Sequence, residues 1–148
     1  MMTEQEKQLL VKALCGYLPY GVKILVDSEF MREKGLDVQT LIGVDLSLMM
    51  VFAEHNWYNL EKIKPYLRPM SSLTKEERIE IGIVIQKDRI NPSGEIKEEG
   101  SDNLLLCTVR QSSNLLYWLN VHHLDYQGLI EKGLALEAPE GMYNIKTE

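Results

Sequence analysis

Two apolar runs, Thr40–Asp45 and Ser47–Phe52, follow each other with only Leu46 between them. Each is short and rich in Leu, Ile, Val and Met, the pattern of a strand. A parallel crossover needs a dozen or more residues, and none stand between the runs. The spacing therefore predicts antiparallel pairing, and with it a sheet built from neighbouring strands. Val22–Val26 supplies a further short strand. The segment 17–21, which holds Pro19, reads as the connection before it, and Glu29–Gly35 reads as a charged turn after it. Asn59–Met70 carries Pro65 and Pro69, so any helix there is short.

Helix signals sit at the start of the chain and in its second half. Thr3 and Glu6 form a capping-box pair ahead of Leu9, Leu10, Ala13 and Leu14, with Gly16 as the expected stop. Thr74 and Glu77 repeat that pair and predict a helix from Lys75 to about Asp88. Inside it, Ile79, Ile81, Ile83 and Ile85 alternate with the period of a strand, so residues 79–90 carry two conflicting signals. Residues 91–103, with Pro92, Gly94 and Gly100, read as a mobile surface loop. Ser112 or Ser113 caps a helix through Leu115, Leu116, Trp118 and Leu119 that ends at His122-His123. Asp125 caps a last short helix over Tyr126–Lys132, closed by Gly133, and an extended tail runs around Pro139.

The expected fold class is α+β: a small antiparallel sheet of about three to five strands, packed with an N-terminal helix and a helical C-terminal half. At 148 residues, residues 1–148 fit a single compact domain, with helix plus strands in 1–70 and mainly helix in 71–148. Lys and Arg number 16 against 22 Asp and Glu, a net charge of −6 that argues against nucleic acid as a partner. No apolar run approaches the roughly 20 residues that span a bilayer. The polar start, MMTEQEKQ, is unlike a secretion signal, so a cytoplasmic setting without membrane contact is expected. Cys15 and Cys107 lie apart in apolar surroundings and are expected to be unpaired and largely buried.

Few residues carry chemistry. His122, His123 and Asp125 are metal-ligand types, but adjacent helical histidines point about 100° apart, so no metal is expected there. The same three residues suit a helix end and the cap of the next element. Nucleophile elbows and phosphate-binding glycine loops are absent, and no cofactor is expected. No catalytic residue is assigned. Trp57, Tyr58, Tyr66 and Arg68 are the candidate ligand or partner contacts, because aromatic residues and arginine anchor interfaces. Trp118, Leu119, Leu129, Ile130 and Leu134 are expected to form a structural core unit, with the two C-terminal helices sharing one apolar seam.

Several stretches together carry a resemblance. They are Leu18-Pro19-Tyr20-Gly21-Val22, the run from Ile63 through Ser72, and Trp118-Leu119-Asn120 through His123. Asp125-Tyr126, Gly128-Leu129-Ile130, Gly133-Leu134-Ala135 and Ala138-Pro139 continue the pattern. In this order the chain resembles a family of uncharacterised prophage and mobile-element proteins of Bacteroides-type gut bacteria. The resemblance implies a small cytoplasmic accessory protein and brings no activity or site residue with it.

The leading expectation is therefore a non-enzymatic accessory or protein-interaction protein, whose partner is another protein or a second copy in a homodimer. The alternative is a small-molecule or nucleotide-binding module. A metal-dependent enzyme centred near His123 is third. A pocket lined by Trp57, Tyr66 and an arginine favours the ligand module, and an exposed apolar patch favours the protein partner.

Overall fold

In the computed structural model, residues 2–89 and 114–143 are described. The elements run α1 (Glu4–Tyr17), β1 (Lys23–Val26), α2 (Glu29–Glu33), β2 (Val38–Asp45), β3 (Met50–Ala53), β4 (Trp57–Asn59), β5 (Ile63–Leu67) and α3 (Lys75–Arg89). Helix α4 over residues 114–121 and strand β6 (Leu136–Glu137) follow. The fold is α+β. Its sheet has six strands in the order β4-β3-β2-β1-β5-β6, one more than the upper expectation, and it is mixed because β6 runs parallel to β5.

The hairpin is antiparallel as expected, with Val44 opposite Val51 and Asp45 opposite Met50, but residues 46–49 form its turn, so the second strand begins at Met50 rather than Ser47. Asp45 closes the turn by accepting the Ser47 and Leu48 amides at 2.9 and 3.0 Å. The register shifts between Leu41 and Gly43, so the first part of β2 pairs with β1 and the rest with β3. Such a bulge bends a strand. The chain's reach demands that bend. β4 and β5 stand four strand spacings apart in the pairing order, about 19 Å in a flat sheet. Yet Asn59 is joined to Ile63 only through the single 3₁₀ turn Leu60–Lys62, a reach of at most about 14 Å. The sheet therefore curls into a partly closed barrel.

Strand β5 lies within Asn59–Met70, where the sequence reading allowed only a short helix and named no strand. Proline in a strand normally marks an edge. The Asp27 amide bonds Lys62 at 2.7 Å and Leu25 pairs with Lys64, so alternate residues 62, 64 and 66 turn their backbone groups toward β1. Pro65 thus points its missing N–H the other way, and β6 pairs only beyond it, at Tyr66 and Leu67.

The barrel interior holds Val22, Ile24, Val26, Leu41, Val51, Ala53, Ile63 and Leu67, and α1 packs Leu10, Leu14 and Tyr17 into the same core. The Thr3–Glu6 capping box is made in both directions, at 2.9 and 3.1 Å. Gly16 does not stop α1, which runs on to Tyr17. A side chain at Gly16 would meet Asn120 Oδ1 at 3.0 Å, so this glycine serves the close approach of α4. The Tyr17 hydroxyl donates to the Leu124 carbonyl and ties α1 to the segment after α4. Glu29–Glu33, expected as a turn, forms the short helix α2, capped by Ser28 at the Met31 amide.

The conflict over residues 79–90 resolves as helix through Arg89, led by a complete Thr74–Glu77 capping box. Ile79 is 57% exposed while Ile81 packs against Trp118 and its neighbours, as helical rotation rather than strand alternation requires. The loop expected at 91–103, Cys107 and the caps at Ser112 and Ser113 lie outside the described residues. Tyr126–Lys132 is a series of turns rather than a helix. Asp125 does cap it, accepting the Leu129 and Ile130 amides at 2.8 and 3.0 Å. Gly133 does close it: its amide bonds Ile130 and the Leu134 amide bonds Leu129. Gly128, at φ 73°, breaks helical geometry between those two signals, and the described chain beyond helix α4 is largely non-helical.

Trp118 and Leu119 are buried with Leu124, whereas Leu129 and Leu134 join the main core, with Ile130 half-buried against it. The expected single seam is therefore two clusters. Trp118→Ala should lower unfolding free energy in urea by about 3–5 kcal/mol. His122→Ala removes a ring stacked on Trp118 at 3.8 Å and should cost about 1 kcal/mol. An unchanged Trp118→Ala midpoint would assign this residue to the surface instead.

Candidate functional site

Past Leu67 the chain leaves the sheet at Arg68, and here the described segments converge. The Arg68 amide donates to the His123 carbonyl and the Asp125 amide to the Arg68 carbonyl, both at 2.8 Å. The guanidinium meets Glu77 of α3 in a fork: Nη1 to Oε2 at 2.7 Å and Nη2 to Oε1 at 2.6 Å. Weaker contacts of 3.4 Å reach the carbonyls of His122 and Ser72. Arg68 is 6% and Glu77 3% exposed, so this is a buried ion pair. Burial pushes the Glu77 carboxyl up, but the bonds from Arg68 and Thr74 outweigh it and hold the group below the usual carboxylate range. Glu77 stays ionised at neutral pH.

His123 stands at the end of α4 with φ 57°, in the left-handed region where glycine is usual. Its amide bonds Asn120 at 3.1 Å and the Leu124 amide bonds Leu119 at 3.0 Å, the two bonds of a Schellman closure. A side chain there costs about 1 kcal/mol. The ring offsets that cost. Nε2 lies 2.6 Å from the Tyr20 carbonyl, which can only accept, so the neutral ring carries its proton on Nε2. The ring also stacks on Tyr143 at 3.8 Å. Burial pushes the His123 imidazole down, aided by His122 and Arg68 and opposed by the Tyr20 bond.

Tyr143 completes the junction. Its hydroxyl accepts the Lys23 amide at 2.8 Å and donates to the Tyr66 carbonyl at 2.7 Å. Those two backbone groups belong to facing positions of β1 and β5, so a side chain supplies a rung of the ladder. Burial pushes the hydroxyls of Tyr143 and Tyr17 upward. His122 turns elsewhere, with Nδ1 2.8 Å from the Trp118 carbonyl and its ring on the indole. The two histidines thus face different aromatic rings, although the left-handed turn at His123, not helical spacing, sets them apart. Asp125 is taken up by two amides. Among the described residues, no group of three or more His, Cys, Asp or Glu is placed to hold a metal.

The expected contact residues are dispersed. Tyr58 points inward, where Gln39 Nε2 donates to its hydroxyl at 3.0 Å. Arg68 is buried against α3. Tyr66 and Trp57 face outward on different walls of the barrel, β5–β1–β2 and β2–β3–β4. A cleft of about 350 Å³ does lie beside Arg68, between Pro69–Thr74 and Glu137–Gly141, with Tyr143 on its lining. Neither Trp57 nor Tyr66 reaches it. Cys15 is exposed, contrary to expectation. It shares the solvent side of α1 with Gln8 and Lys12, two turns and one turn away.

The outer wall carries Trp57, exposed as a contact residue should be, together with neighbours that the sequence reading missed. Phe52 meets Trp57 edge-to-face at 4.9 Å across the β3–β4 pair. Ile42 is 56%, Trp57 47% and Val38 42% exposed. Alternation along β2 was the available signal: Val38, Thr40 and Ile42 face out while Gln39 and Leu41 face in. Because both sets contain apolar residues, alternation did not reveal which side was buried.

Two measurements test the junction. Arg68→Met alone should cost about 3–5 kcal/mol in urea unfolding by leaving Glu77 buried and unpaired, and adding Glu77→Leu should recover most of it. Acid should then act in two stages. The His123 imidazole lies below its unfolded value of 6.5, so its contribution is full above pH 6.5 and falls as pH drops from there. Glu77 lies below 4.5, so its contribution is lost only as pH falls under that value. In His123→Gln, thermal melts between about pH 6.5 and 5 should flatten, with the lower stage kept.

In comparisons with known proteins, no protein-family model, no curated protein and no solved structure matches this chain.

Proposed function

We propose that this protein is a non-enzymatic protein-interaction module, a small accessory of the kind that the prophage resemblance implies, acting in the cytoplasm. The observation that carries this reading is the apolar outer wall formed by Ile42, Phe52 and Trp57. The solvated face of an antiparallel sheet is normally polar, and a cluster of exposed aliphatic and aromatic side chains marks a contact surface. Tryptophan is among the residues most often found as interface anchors. The converse supports the same reading. The buried ionisable groups Arg68, Glu77, His123 and Asp125 are each engaged by internal bonds, as residues of a scaffold are. Among the described residues no helix is long and apolar enough to cross a membrane.

A photo-crosslinking residue at position 42, introduced in cells, should give one discrete adduct, and the same residue at Glu33 should give none. Trp57→Ala and Ile42→Asp should each abolish that adduct's partner in pull-downs while changing stability by less than about 1 kcal/mol. Loss of stability in step with binding, or no adduct at position 42, would count against the reading.

A further inference from the structure

We infer that the C-terminal strap Leu136–Tyr143, beyond the buried Leu134 and Ala135, is a latch, held shut by neutral His123 and released when that ring takes a second proton. The argument starts from how little backbone holds the strap. Its strand β6 has two residues, because Pro65 denies β5 an outward N–H one step earlier. One further backbone bond, from the Ala138 amide to the Leu67 carbonyl at 2.8 Å, follows the strand. Glu137, Pro139, Glu140 and Gly141 are exposed. The strap's firm attachment is therefore a side chain: Tyr143, with its hydroxyl between β1 and β5 and its ring on His123.

Protonation makes that attachment costly. His123 is 7% exposed, and its Nε2–H already serves the Tyr20 carbonyl. A second proton puts a charged N–H on Nδ1 in a buried place. The ionisable groups facing it from the packed segments offer no relief. From β5 comes the Arg68 guanidinium, which repels it. From α3 comes Glu77, whose two oxygens hold Arg68. Beside the ring on its own segment, His122 repels it and Asp125 is taken by the Leu129 and Ile130 amides. From α1 and the strap come Tyr17 and Tyr143, neutral phenols bonded to backbone groups. On β1, Lys23 turns its ammonium to Thr40 at 2.6 Å and offers the ring no counter-charge.

Water can reach the charged ring by two routes. Moving Tyr20, Arg68 or α4 breaks the main junction. Lifting Tyr143 breaks two hydroxyl bonds and a stack, and the two-residue strand follows. Local opening of the weakly held segment is the cheaper route. It bares the Lys23 amide and the Tyr66 carbonyl, and it removes one wall of the cleft whose other wall is Arg68, Pro69, Ser72 and Thr74. The latch would thus expose a second surface in acid, separate from the Ile42–Trp57 wall.

Amide hydrogen exchange on the full chain reads this directly. Between about pH 7 and pH 5, the protection factors of Lys23 and Ala138 should fall at least tenfold, whereas that of Val26, bonded to Asp37 at 2.7 Å, should hold. His123→Gln should show no such pH step. Tyr143→Phe should leave Lys23 unprotected at both pH values while the fold persists. If His123→Gln does not fold, the wild-type imidazole titration followed by NMR must share its midpoint with the Lys23 step. Equal loss at Val26, a step that persists in His123→Gln, or separate midpoints would each overturn the latch. So would constant Lys23 protection.

Discussion

The fork between Arg68 and Glu77 is the constraint on which the described fold turns. It joins the last residue off β5 to the first turn of α3, and the same arginine holds the turn after α4 through its own backbone. A charge this deeply buried is tolerated only with its partner in place, so the pair specifies one arrangement of strand, helix and turn. The Thr74 capping box shares the Glu77 carboxylate, so a local helix signal and a long-range contact are satisfied by the same two oxygens. Everything near the junction inherits that geometry: the left-handed His123, its ring on Tyr143, and the Tyr17 hydroxyl reaching across from α1.

The barrel shows a second economy of the same kind. A hairpin, a bulge and a single 3₁₀ turn are enough to curl the sheet around α1. The curl separates Trp57 from Tyr66 and Arg68, although the three lie within twelve residues of sequence. Interior positions go to aliphatic side chains and to a few polar groups with named partners, Gln39 among them. The apolar side chains left outside are then the ones that need another explanation.

The parts legible in the sequence were those set by short-range geometry. Two apolar runs too close for a crossover pair antiparallel, even though the turn between them takes residues 46–49, and a threonine three residues before a glutamate marks a helix start. That His122 and His123 face different ways was expected from helical rotation, but the direction of His123 is set by its left-handed backbone past the end of α4. Where two local signals competed, at Ile79–Ile85, the capped start prevailed because the capping bonds fix the first turn. The rest depended on partners far along the chain. Pro65 reads locally as a strand breaker, and only its register against Ile24 shows why it is tolerated. Nothing in Glu77 itself signals Arg68. Asp125 and Gly133 were read for their roles, but the span between them holds a series of turns rather than a helix. Cys15 was judged by its apolar neighbours when its helical phase, with Gln8 and Lys12, was the better guide.

Pro65 has one more effect, on growth of the sheet. An open strand edge is a template on which further copies can add, and chains with long unguarded edges are prone to fibres. On one side of this sheet, proline leaves room for only two paired residues in β6, and another proline, Pro139, follows shortly after. On the other side, the Trp57 amide, which would point off the edge of β4, is taken at 2.9 Å by the side chain of Asn56. Neither border offers an unbroken row of backbone groups to a stranger. A protein guarded in this way can keep a greasy wall exposed and still resist polymerising strand upon strand.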